Sequence, residues 1–535
     1  MVLPQVLDFN LKKRKMKRLT TIALIAFAFT LGACKKAYFD INNNPNSSTN
    51  AYPGLVLTNA LNTTATSTTG SFEFYRFASP WIGYWNFSGA YSGFLEERSY
   101  NITSNYGGAT NTWPNLFNNL EDYYYLEQQG KLLGKPYFVA YAKTMKAFDF
   151  QYLVDFYGDI PYTQALQSTK YIRPKYDKDI AVYEDLAKQL DTAATIFKDN
   201  VNKVANSDLS YDIMYAGDMV KWGKLANTIK LRLLLRQSEI PGRTTYIQAE
   251  IAKIDANGLG YIGAGETANV QPGYINSSGK QNPFYSVFGY TAAASKTMQF
   301  GHLEYLAAKY SLDFYQNNND ARLGRFYTTI NEGAGTTYVG HPFGPTATEA
   351  EKPDQISAIG PGLVSFPADA SKPQPLITDF ESLFLQAEAV QRGLITGDAR
   401  GLYEAAVTQS FIAMDLTAGD AATYLSSQPV ANWDDPVNTG TGESAEGTFY
   451  DNKLILIIKQ KWASLNGFND IEAWCDYRRL GLPADIPISD NPAATTRKIP
   501  VRMPYPQSEY NYNPDNVGAE GVISQFTSRV FWDVK

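Results

Sequence analysis

The sequence predicts an all-α fold: a scaffold of paired helices with a loop-rich side and little strand. Three observations predict it. Apolar residues recur at steps of three and four in many separate windows, the spacing of one helix face. Most windows run roughly 12–22 residues and follow one another in neighbouring pairs. Between them, residues 71–113, 260–300, 331–375 and 416–446 are rich in Gly, Ser, Thr, Asn, Pro and aromatics, with room only for short hairpins. Irregular stretches of that length are uncommon in a compact domain and are usually functional.

Regular structure is expected to begin near Leu55–Leu61, between the turn-rich Asn42–Ser48 and an irregular Thr63–Gly70. Phe138, Tyr141, Met145, Phe148 and Tyr152 predict a helix that Pro136 opens and Gly158 closes. Tyr183 to Phe197 and Met219 to Leu233 repeat the pattern, the second ended by Pro241-Gly242. Leu303, Leu306, Tyr310 and Phe314 predict one further helix. Thr378 and Glu381 have capping-box spacing and open a helix with Phe384, Ala387 and Val390 inward. Helices over Leu402–Met414, Leu454–Leu465 and Asp470–Leu480 follow, the last stopped by Gly481 and Pro483. Pairing hints at a solenoid, though no strict repeat such as the tetratricopeptide consensus is present.

The first residues read as an export signal. Lys12, Lys13, Arg14, Lys15, Lys17 and Arg18 precede the apolar run Leu19–Leu31, and Leu31-Gly32-Ala33-Cys34 follows. A basic segment, a short apolar segment and small residues before a cut describe a secretory signal peptide. The run is too short for a spanning helix, which needs ~20 residues. Leu-Gly-Ala-Cys resembles a bacterial lipobox, so Cys34 is the expected lipid attachment point. The expected organisation is a signal peptide over 1–33, a lipid-anchored tether over 34–54 and one domain over 55–535. Met16 is the expected start, with residues 1–15 expected to be a gene-start artefact.

Charge and cysteines narrow the function. Residues 1–33 hold six Lys or Arg and one Asp, so their removal takes the net charge from −6 to −11. A chain this acidic, without a basic stripe, is a poor nucleic-acid binder. With Cys34 lipidated, Cys475 has no partner for a disulfide, and core packing must hold the body together. Cys475 itself reads as an inert buried thiol.

Catalytic patterns are scarce. The two histidines, His302 and His341, stand in no H-E-x-x-H motif. There is no G-x-S-x-G elbow and no zinc spacing. No catalytic residue, metal ligand or cofactor is expected, and a structural calcium ion is left open. Glycoside hydrolysis needs only two carboxylates. Glu96-Glu97 is the pair to nominate, although such a pair is more often simply solvated.

Six motifs in order identify a family. They are Ile41-Asn42-Asn43-Asn44-Pro45-Asn46, Phe156-Tyr157-Gly158-Asp159-Ile160-Pro161-Tyr162, Asn319-Asp320-Ala321-Arg322-Leu323 and Phe384-Leu385-Gln386-Ala387-Glu388-Ala389 with Arg392-Gly393. The fifth is Gln460-Lys461-Trp462 with Glu472-Ala473-Trp474, Asp476-Tyr477-Arg478-Arg479 and Pro483. The sixth is Arg502, Tyr505-Pro506, Glu509, Asn511 and Asn513. Together they resemble the SusD/RagB-like family of outer-membrane nutrient-binding lipoproteins, its second branch in particular. The resemblance implies about four tetratricopeptide-like helix pairs with a loop-rich ligand-binding side. It implies capture of glycans at the outer face of the outer membrane, without turnover, and delivery to a SusC-like TonB-dependent transporter. Peptide capture by the same machinery is the alternative that the family allows. The motif residues themselves read mainly as structure: Trp462 and Trp474 as core, Arg478 and Arg479 as cations at a helix C-terminus.

A sugar offers flat C–H faces to aromatic rings and hydroxyls to polar groups. Residues 80–106 supply that mixture, with Trp81, Tyr84, Trp85, Asn86, Tyr91 and Arg98 as expected ligand contacts. Tyr285 and Tyr290, in a second aromatic stretch, are their expected neighbours.

Overall fold

A computed structural model describes residues 51–89, 93–167, 169–345 and 354–535. Residues Pro53–Lys535 form one compact unit. Cys34, the export segment and most of the tether lie outside the described residues.

Four helix pairs make the scaffold. Helices α1 (Pro53–Ser67) and α2 (Phe72–Trp81) lead in. The pairs are α3 (Gly107–Leu132) with α4 (Pro136–Tyr157), α5 (Asp179–Asp199) with α6 (Met219–Arg236), α7 (Asp379–Gln391) with α8 (Ala399–Ala413), and α9 (Asn452–Leu465) with α10 (Asp470–Leu480). Successive helices of the first two pairs pack side by side, α4 also on α5, while α7 packs on α8 and α9. Local chemistry sets the ends. Pro136 opens α4 and Gly158, at φ +72°, closes it. Asp218 caps α6 by accepting from the Val220 and Lys221 amides. Gly481, at φ +66°, ends α10 in the left-handed conformation that costs glycine nothing.

Strand is confined, among the described residues, to segments of two to four residues in four two-stranded pairings. Two of them stitch distant loops together: Trp85–Phe87 with Tyr305–Ala307, and Ala268–Val270 with Gln374–Ile377. The first explains a departure from the periodicity. Leu303 to Phe314 is not one helix but Phe300–Glu304, the strand Tyr305–Ala307 and Lys309–Asn317. Pairing with Trp85–Phe87 outweighs the local helical spacing there.

Other departures concern loops that are not loops. Helix α1 runs through Ser67, across the expected irregular Thr63–Gly70. The stretch 71–113 holds α2 and the start of α3, the longest helix among the described residues. Gly107, Gly108 and Pro114 hide that start, although Trp113, Leu116, Leu120 and Tyr123 already keep helical spacing and are buried. A further helix, Ala418–Ser427, crosses 416–446. The Thr378 cap forms only by half. Its hydroxyl accepts from the Glu381 amide at 3.1 Å, but the Glu381 carboxylate leaves the helix end for Arg232.

That diversion belongs to a charged seam buried between helices. Arg232 meets Glu381 at 3.1 Å and Glu472 at 3.5 Å, and Arg236 meets Glu472 at 2.5 Å. Arg479 pairs with Glu388 and Asp476, and Lys461 with Asp476 at 2.8 Å. All are buried. Arg479 is therefore an interior partner rather than an exposed cation at a helix end. Burial alone would raise the Glu388 carboxyl, but Arg479 and Arg392 pull it down to about 2. Trp462 and Trp474 are core, and burial pushes the Cys475 thiol up to about 12.

Candidate ligand-binding surface

The expected contacts at Trp81, Tyr84, Trp85, Asn86, Arg98, Tyr285 and Tyr290 are all buried, none more than 3% exposed. This corrects their reading as an open binding surface. Trp81 ends α2 and donates its indole N–H to the Glu97 carbonyl at 3.1 Å. Tyr84 donates to the Trp462 carbonyl and stacks on that ring at 5.2 Å. Trp85 stacks on Tyr75 at 5.6 Å and meets Phe288 at 5.3 Å. Asn86 donates to the His341 carbonyl, and Arg98 lies 5.1 Å from the Phe87 ring. Tyr285 and Tyr290 lie 6.2 Å apart, and Tyr290 packs on His302. The rings fasten the loop to the scaffold, each burying apolar area worth roughly 1.5–3 kcal/mol. Tyr91 lies outside the described residues.

Both histidines are spent on packing. His341 Nε2 is 2.9 Å from the Phe87 carbonyl, and His302 bridges the Phe288 carbonyl and Glu332. Glu97 is not solvated either. It is fully buried against Arg76 at 2.5 Å, and burial raises its carboxyl against the pull of that cation. Among the described residues no group of three or more His, Cys, Asp or Glu is placed to hold a metal ion. No helix among them is long and apolar enough to cross a membrane.

What the plugged loop does present is an aromatic platform at its edge. Phe300 is 56% exposed, and Phe72 and Phe94 are half-buried. The Phe72 ring lies 6.5 Å from both Phe94 and Phe300. Phe94 is fixed from below by Phe87, parallel to it at 4.2 Å, and its backbone takes φ +60°. A non-glycine residue held there marks a position whose conformation the surroundings impose. Leu95, next along, is 57% exposed.

Polar groups underlie the platform. The Arg76 guanidinium sits 5.8 Å from the Phe94 ring and 4.9 Å from Tyr106, and pairs with Glu97 and, at 3.7 Å, with Glu73. Glu304 lies buried within electrostatic reach of the same cation. Burial raises its carboxyl to about 7 while Arg76 and Arg98 oppose the rise, and one of its oxygens has no hydrogen-bond partner. Rings for C–H faces beside partly exposed charged groups for hydroxyls are the combination a saccharide needs. Of the platform residues only Phe94 lies within 80–106, and the described residues nominated there from the sequence face inward. Phe72, Phe94 and Phe300 carried no signal beyond being Phe.

A family model described as starch-binding and associating with the outer membrane, SusD-like_2, matches residues 45–506. Solved structures match over nearly the whole length. A SusD homologue from Bacteroides uniformis is 24% identical, covering 91% of this chain and 100% of that one with a TM-score of 0.69. A chitin-binding SusD homologue from Flavobacterium johnsoniae is 24% identical over 90% and 99%, with a TM-score of 0.71. A SusD homologue from Bacteroides fragilis is 23% identical over 91% and 100%, with a TM-score of 0.70. At these identities the likeness is one of fold. No curated protein matches.

Proposed function

The chain belongs to the SusD-like family whose model is described as starch-binding and associating with the outer membrane, and on that premise we propose that it captures glycans at the cell surface. The single observation that carries the reading is the Phe72–Phe94–Phe300 platform, with Arg76 and Glu73 at its edge. A pyranose lies on the rings through its C–H face and hydrogen-bonds those charged groups through its hydroxyls. Binding ends there, and the ligand passes intact to a partner. That partner is a SusC-like TonB-dependent transporter, and lipid on Cys34 tethers the protein, facing outward, beside it. No cofactor takes part. A bound structural calcium would change none of these steps.

Calorimetry of the full chain with starch- and chitin-derived oligosaccharides tests the reading. Saturable binding without product on prolonged incubation is expected. Binding of peptides with no binding of any glycan on a broad array would replace it with peptide capture. Release of shorter saccharides would replace it with hydrolysis.

A further inference from the structure

His302 is buried on the same one-turn helix, Phe300–Glu304, that carries Phe300 of the platform. Its Nδ1 lies 2.7 Å from the Phe288 carbonyl and its Nε2 3.2 Å from Glu332 Oε1. A carbonyl only accepts, so Nδ1 carries a hydrogen. An ionised carboxylate also only accepts, so either Nε2 carries a second hydrogen or the carboxyl donates one. Both cases hold one proton more than a neutral ring beside a carboxylate. Burial would raise the Glu332 carboxyl, but His302 and Lys296 draw it down, which puts that proton on the ring. Without it, a bare lone pair on Nε2 faces a negative oxygen in the interior, and the bridge is lost.

The far side of the bridge is a strained turn. Asn331, Glu332 and Gly333 take φ +55°, +53° and +87°, three successive residues in the left-handed region. Glycine alone adopts that region without cost. The Gly333 and Gly335 amides donate within the turn, to the Thr329 and Ile330 carbonyls at 2.9 Å each, and Asn331 donates outward to the Asp354 carbonyl. The Glu332 side chain ties the turn to the platform helix. Other groups near the ring are poor substitutes for that tie. Tyr290 packs on the imidazole at 4.9 Å, with its hydroxyl 3.5 Å from Glu332. Lys296 is 3.9 Å from Glu332 and half exposed. Tyr285 stands behind Tyr290 at 6.2 Å, with Asp369 behind it in turn. Glu304, two residues along the helix, feels Arg76 and Arg98 instead.

We propose that His302 and Glu332 are a proton-operated latch, which holds the 329–335 turn against the Phe300 helix at acid pH and releases it as pH rises, so that glycan capture at the platform weakens. The effect on capture rests on the glycan reading of the platform, and the latch itself does not. Hydrogen exchange of the full chain at about pH 5.5 and 8.5, on either side of the range in which histidine changes charge, tests the latch once corrected for the intrinsic pH dependence of amide exchange. Segments 299–304 and 329–335 exchange about fivefold or more faster at the higher pH. Glu332→Gln stays slow at both, because its amide donates to the bare Nε2 of a neutral ring and its carbonyl accepts from a charged one. Glu332→Ala exchanges fast at both. Affinity for starch- and chitin-derived oligosaccharides falls about fivefold or more over the same interval in the wild-type chain and stays level in Glu332→Gln. Wild-type exchange that ignores pH in both segments overturns the proposal. So does a pH response that survives Glu332→Gln, which assigns the titration to Glu304 or another group. A glycan affinity that ignores pH while the latch opens overturns the coupling to the platform. A latch that opens in a chain binding no glycan at either pH overturns the glycan reading alone.

Discussion

The charged seam around Glu472 and the aromatic plug around Trp85 are both interior, and they are built from opposite materials. In the seam, Arg232, Arg236, Lys461 and Arg479 sit among Glu381, Glu388, Glu472 and Asp476, each charge answered by another within hydrogen-bonding reach. In the plug, Trp81, Tyr84 and Trp85 pack on the rings of Trp474, Trp462 and Tyr75, and Trp81 and Tyr84 spend their polar atoms on backbone carbonyls. The seam depends on complete pairing, since a buried charge that loses its partner costs more than the pair contributed. The plug depends on volume, since a lost ring leaves a cavity. Residue type alone therefore says little about which side of a wall a residue faces.

The largest break in that comparison is expected in the seam. Glu472→Ala takes from Arg236 its closest carboxylate and from Arg232 one of two, and should cost about 3–5 kcal/mol in urea unfolding. Trp85→Ala should cost about 3–4 kcal/mol by the same measurement, through the void it leaves. Its effect on glycan affinity should follow from loosened folding and vanish where the variant is fully folded.

A pH series sharpens the contrast between paired and unpaired acids. Glu388 is held down to about 2, so its contribution is complete above pH ~4.5 and is lost as pH falls toward 2. Asp149 runs the other way. It is buried beside Asn119 at 2.8 Å, and burial raises its carboxyl to about 8 against that hydrogen bond. Its contribution is complete below pH ~3.9 and is lost as pH rises through 8. Asp149→Asn should remove that fall, which reaches ~1.4 kcal/mol per pH unit where only the unfolded chain releases the proton. Urea titrations at pH 3 to 9 would show it. A slope unchanged by the substitution would place the titrating group elsewhere.

The smallest effect on stability should come from the platform. Phe300→Ala should shift unfolding by no more than about 0.5 kcal/mol. It should weaken glycan binding by about 1 kcal/mol or more. A large stability loss with unchanged affinity would return Phe300 to the core.

Much of the scaffold was legible because helix punctuation is local: Pro136, Gly158, Thr378 and Gly481 each mark an end they really make. Helix α3 was not, because Gly107, Gly108 and Pro114 mask a start that Trp113 and Leu116 confirm only through packing. The residues nominated as ligand contacts were legible as an aromatic cluster and not by the side they face. Trp and Tyr are as useful to a plug as to a binding surface, and only the strand pairing of Trp85 with Ala307 decides between them. That pairing joins positions no local pattern connects.

The same pairing bears on how the chain reaches its fold. Trp85 waits for Ala307, Tyr84 for Trp462, and Ser79 for Asp470. Contacts so far apart in sequence raise the contact order and slow the search. The helix pair Gly107–Tyr157 closes within about fifty residues, whereas the loop side closes only once Trp474 is present. A chain emerging N-terminus first carries its aromatic plug unsatisfied for most of its length. That interval is when aggregation competes with folding and when a holdase would be most useful.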